Sequence, residues 1–105
     1  MSNSSRKQQL QAMLAEDPND PFLRYGLAME YLSEGADAEA VRCFAELRAV
    51  SPDYVPAYLQ EGQVLIRLGR VDEARAVLRQ GIAVAQRQGD AHAAGEMQGF
   101  LDSLP

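Results

Sequence analysis

His92 and Glu96 stand four residues apart, with Asp90 just before them. On one helix that spacing puts an imidazole and a carboxylate on the same face, where they can share a metal ion or pass a proton. It is also the spacing of an ordinary exposed ion pair, and a catalytic metal usually takes three protein ligands. A metal-dependent enzyme using His92 and Glu96 is therefore the remote reading. Asp17, Asn19 and Asp20 resemble a fragment of a calcium loop, but Pro18 and Pro21 interrupt it and the distal Glu is missing, so an interhelical turn is expected. Cys43 sits beside Phe44 with no Lys or His expected next to it, which suits a small buried hydrophobe better than a reactive thiol. A Ser-His-Asp triad would have to use His92, the single histidine, without a strained nucleophile turn or an oxyanion loop. The eight glycines stand singly, so no phosphate-cradling loop exists. No catalytic centre and no cofactor is expected.

The elements that would have to position such residues can be bounded from composition. A chain of 105 residues, 47% hydrophobic and 24% charged, suits one compact soluble domain. Its net charge of -5 repels a phosphate backbone on average, which argues against nucleic acid as a partner. One cysteine and one histidine are too few for a zinc finger. Arg6 and Lys7 precede no apolar run, so neither a secretory signal nor a membrane span is expected, and the cytoplasm is the default location.

Sixteen Ala, nine Val and Ile together, and no Thr or Trp point to helices rather than strands. Paired prolines at 18, 21, 52 and 56, with Gly35, Gly69 and Gly89 as helix-ending residues, divide the chain into six helices: 6–16, 20–34, 37–50, 54–68, 71–87 and 90–104. Asp20, Asp37, Asp53 and Asp90 are placed to cap four of them, with Pro21 and Pro56 in first turns. Helical spacing puts Phe22, Tyr25, Met29 and Leu32 on one stripe of the second helix and Leu27, Ala28 and Tyr31 on the adjoining one. That apolar arc is wider than one neighbour can cover.

A shift of 34 residues aligns Gly35 with Gly69, Glu39 with Glu73, Ala40 with Ala74, Ala49 with Ala83 and Val50 with Val84. Two helices per 34-residue unit is the period of the tetratricopeptide repeat. Leu27, Ala28, Tyr31, Gly35, Ala40, Phe44 and Pro52 in the first unit, and Tyr58, Gly62, Leu65, Gly69, Ala74 and Leu78 in the second, resemble that family's pattern. Arg24 stands where an aromatic is expected, with Phe22 and Tyr25 able to serve instead. Glu61 replaces the expected Leu, Gly81 the usual Ala, and Gln86 the closing Pro. The resemblance implies an all-α, right-handed α-α superhelix of helix hairpins in a single domain over 1–105. Its parts are a half-repeat helix at 6–16, repeats at 21–54 and 55–88, and a capping helix at 89–105.

The resemblance further implies that the first helix of each unit lines a concave groove for a partner. Carried onto this sequence, the groove takes Phe22, Tyr25, Met29, Leu32 and Ser33, then Pro56, Leu59, Gln63, Ile66 and Arg67, and lastly Asp90, Ala93, Met97, Phe100 and Leu101. Tyr25 and Met29 occupy two sites where members that clamp a chaperone's terminal carboxylate carry Lys and Asn, so an amphipathic helix or apolar peptide is the expected cargo. The alternatives are a homo-oligomer whose groove is filled by another copy, and a stripe that is simply core. Arg67, Arg70, Arg75, Arg79 and Arg87 form either a solvated face or an anchor for an acidic partner.

Overall fold

The computed structural model describes residues 3–105; Met1 and Ser2 lie outside them. It consists of six helices, α1 (Asn3–Glu16), α2 (Pro21–Ser33), α3 (Asp37–Val50), α4 (Val55–Arg67), α5 (Val71–Arg87) and α6 (Ala91–Asp102), with no strand among the described residues. Each helix packs on the next in sequence, and α4 also meets α6, so the chain builds a layered stack 39 × 28 × 20 Å.

The turns within and after the hairpins are made the same way three times. Gly35, Gly69 and Gly89 adopt φ of 76°, 75° and 72°, a region that costs other residues strain. At the first, the amide of Ala36 donates to the Tyr31 carbonyl at 2.9 Å and that of Gly35 to Leu32 at 3.0 Å, closing a Schellman-type end that turns α2 into α3. Asp20 and Asp90 cap as expected: the Asp20 side chain accepts from the amides of Phe22 and Leu23, and that of Asp90 from Ala93. Asp37 and Asp53 do not. Asp37 is the first helical residue, and its carboxylate accepts instead from Arg67 Nε at 2.9 Å. α4 begins after Tyr54, with Pro56 in its first turn, so Asp53 falls too early to cap it.

Two apolar clusters hold the stack. Ala28, Ala40, Phe44, Leu47 and Ala57 form the first, where α2, α3 and the start of α4 meet. Val64, Leu65, Val77, Leu78, Val84 and Met97 lead the second, which binds α4, α5 and α6. Leu32 packs against both and so ties the two hairpins together. Tyr25 takes the role of the aromatic missing at Arg24: its ring lies 6.0 Å from Phe44 and 5.6 Å from Tyr54. Phe22 does not share it, being 75% exposed.

Close helix crossings explain the small residues. A Cβ at Gly81 would come within 2.5 Å of the Tyr58 Cβ and 2.6 Å of the Met97 sulfur. The departure from alanine at 81 is therefore required by the bulk around it. Gly81→Ala is expected to cost about 1–3 kcal/mol by overpacking, although alanine is the better helix former; urea unfolding with no loss would contradict this crossing. Ala74 on α5 is fully buried in the second cluster. Ala74→Leu is expected to lose a similar ~1–3 kcal/mol, read from the shift of the thermal midpoint.

Candidate functional site

The apolar stripe of α2 is half satisfied by the fold. Tyr25 and Met29 pack against the first cluster and remain partly open, as does Leu32, whereas Phe22 at the start of the helix stands in solvent. On α4, Leu59 and Ile66 pack on the second cluster with one side open, and Gln63 between them is half-buried. Arg67 is exposed but held by Asp37, and this pairing keeps the Asp37 carboxyl below the usual range. Phe100 on α6 is half-buried and borders a shallow depression with Glu96, Gly99 and Ser103.

Met97 departs from the expectation. It has no exposed surface: its sulfur lies under Gly81, filling the space that the missing side chain leaves. Ala93 is likewise buried. The open part of α6 therefore narrows to Phe100 and its neighbours, and Met97 belongs to the core.

The candidates for chemistry are dispersed. His92 and Glu96 form an exposed pair at 3.2 Å, with side chains 88% and 44% accessible. Among the described residues no group of three or more His, Cys, Asp and Glu is placed to hold a metal ion. Asp20, from the supposed calcium fragment, is occupied as a helix cap. Cys43 is half-buried against the first cluster, and burial pushes its thiol pKa up, away from the thiolate that reacts. Of the five arginines between 67 and 87, Arg67, Arg70 and Arg75 are bound to Asp37, Glu73 and Asp72. No helix among the described residues is long and apolar enough to cross a membrane.

One polar feature is only half apparent from the sequence. Glu61, only 3% exposed, receives Arg48 Nε at 2.5 Å and Nη2 at 3.0 Å on its two carboxylate oxygens. The pair lies at the base of a crevice of about 590 Å³ between α3 and α5, on the other side of α4 from Leu59 and Gln63. Burial raises the pKa of Glu61 and Arg48 opposes that rise. The signal was present as a charged residue at a position where the repeat pattern expects leucine; its partner, thirteen residues earlier on another helix, carried none.

Comparison with known proteins agrees with this architecture. The family model of the tetratricopeptide repeat matches residues 31–96. The chain is 32% identical over 95 residues, 90% of each chain, to the TPR repeat-containing protein PA0015 of Pseudomonas aeruginosa. It belongs to the tetratricopeptide repeat family. A crystal structure of a tetratricopeptide repeat domain protein from Salinibacter ruber is 39% identical, with a TM-score of 0.73 over 78% of this chain and 91% of that one. The fold of PcrH, solved in complex with the chaperone-binding region of PopD, superposes with a TM-score of 0.88 over 96% of this chain and 77% of that one, at 18% identity. Tetratricopeptide repeat folds generally mediate protein–protein interaction.

Proposed function

We propose that this tetratricopeptide repeat protein binds a segment of another protein, an amphipathic helix or apolar peptide, along α2, α4 and α6, and performs no chemistry on it. Two full units, 21–54 and 55–88, would shape the groove between the N-terminal half-unit and the capping helix. The observation that carries the reading is Phe22. A phenylalanine 75% exposed, on the same stripe as half-open Met29 and Leu32, is apolar area the chain itself leaves uncovered. Leu59 and Ile66 extend the half-open apolar surface onto α4. The adaptable Met and rigid Tyr side chains suit an apolar partner face. PcrH, a protein of like fold that forms a complex with the chaperone-binding region of PopD, supports the same mode here.

Site-specific photo-crosslinking tests it. A benzophenone side chain placed at Phe22 is expected to capture a partner protein, and one placed at Ala83, exposed on α5, is not. Capture of a second copy of the chain from Phe22 would turn the reading toward self-association. Equal capture from both positions would sink it.

A further inference from the structure

Arg48 joins three helices through one guanidinium. It donates from Nε and Nη2 to Glu61 on α4 and from Nη1 to Gln80 on α5 at 3.3 Å, while its carbon lies 5.6 Å from the centre of the Tyr58 ring. The arginine side chain is 20% accessible and that of the glutamate 3%, so the two ends of the pair differ in their access to water. The crevice above them has room for a guanidinium. We infer that the Arg48–Glu61 pair is a proton-operated clasp between the two hairpins: protonation of Glu61 frees Arg48 to swing into the crevice, and α3 and α5 then shift relative to one another.

Each partner is held in place by the other's charge. A buried carboxylate needs its counter-charge, and an arginine near water stays inside only while that carboxylate is ionised. Once Glu61 is neutral, hydration of the guanidinium outweighs its bond to an uncharged acid. The other charged groups around Glu61 do not substitute. Arg70, at the start of α5, is engaged by Glu73, and Arg42 on α3 is engaged by Glu39, both within the crevice lining. Tyr58, on the same helix, donates its hydroxyl to the Pro52 carbonyl at 2.6 Å. Burial raises the Glu61 pKa, so its charge is lost under milder acid than that of an exposed glutamate. Since α4 also carries Leu59, Gln63 and Ile66, release would alter the partner groove; this last consequence rests on the groove reading, whereas the clasp itself does not.

Spin labels on Ala49→Cys and Ala83→Cys, in a Cys43→Ser background, report the joint directly. Both sites are exposed and occupy equivalent positions on α3 and α5, one repeat apart. Their distance distribution, measured by double electron–electron resonance from neutral pH down through the Glu61 titration, is expected to shift by on the order of 2 Å, the size of packed-helix shifts in switching proteins. The midpoint should coincide with the carboxyl-carbon NMR titration of Glu61 in the wild-type chain. Glu61→Gln should show the shifted distribution already at neutral pH, and Arg48→Met with Glu61→Leu should show no pH-dependent shift. An unchanged distance while Glu61 titrates, titration of Glu61 no higher than exposed carboxylates, or a shift that persists in the apolar double variant would overturn the clasp. No partner is needed for any of these readings, so failure of the groove assignment leaves them intact.

Discussion

Arg48→Met is expected to destabilise the fold by about 3–5 kcal/mol at neutral pH, because it leaves the Glu61 carboxylate buried without its counter-charge. Glu61 has almost no exposed surface through which water could replace the arginine. The penalty should shrink in acid. Burial raises the pKa of Glu61 in the native chain above its unfolded value, so the native state takes up a proton at a pH where the unfolded state does not. Stability contributed by that protonation is present below the unfolded pKa and is lost as pH rises through the raised native value. Removing Arg48 removes the chief opposing influence and pushes the native value higher still, which widens the window of loss towards neutrality. Urea unfolding of Arg48→Met against wild type across that range should show the gap closing as pH falls. Adding Glu61→Leu, which restores the apolar residue usual in this repeat, should remove the penalty and leave a chain between neutral and about 1–4 kcal/mol more stable than wild type. A gap that is small at neutral pH, or one that grows in acid, would show that the pair is not desolvated as the geometry indicates.

The second large effect is expected at Phe44. Its ring is fully buried among Ala28, Ala40, Leu47 and Ala57 and meets Tyr25 at 6.0 Å. Three of those four neighbours are alanines whose side chains have no further rotamers with which to fill a hole. Phe44→Ala should therefore sit at the costly end of core truncations, about 3–5 kcal/mol. Phe22→Ala serves as its counterpart: the same substitution one helix away, in solvent, should change stability by less than about 0.5 kcal/mol. Equal losses at both positions would mean that α2 is rotated from the arrangement described, with Phe22 inside.

Much of the fold was legible because its determinants are local and repeated. The turn inside each of the two full hairpins, and the turn from α5 to α6, holds a glycine at positive φ, and the 34-residue register brings like residues to like places, so six helices and their order follow from punctuation and period. The misplacements were tertiary. Asp37 has a capping residue's identity, but the helix starts one residue early, with Ala36 at the cap position, and Arg67, thirty residues away, holds its carboxylate. Met97 falls on the groove register of the repeat, yet it is core because Gly81 on a neighbouring helix leaves a space that a flexible thioether fills. Glu61 was visible as an anomaly, whereas Arg48, drawn from a different helix, was one arginine among several. Periodicity reports which face of a helix a residue occupies; it does not report what lies opposite that face, and the site depends on the latter.

Reception of a partner protein by the open side chains of α2 and α4 is tested most directly by affinity capture from lysate. The wild-type chain is compared with a Met29→Glu, Leu59→Glu variant, once circular dichroism and unfolding curves establish that both fold. Both substituted residues keep one side open to solvent, so the helices should tolerate the added charges while the apolar surface between them does not. The expected result is a partner retained by the wild type and lost by the variant, with about a hundredfold weaker binding when the isolated partner is titrated, the equivalent of ~2.7 kcal/mol. Recovery of the same partner by both chains with equal affinity would contradict this and move the binding surface to another face of the stack.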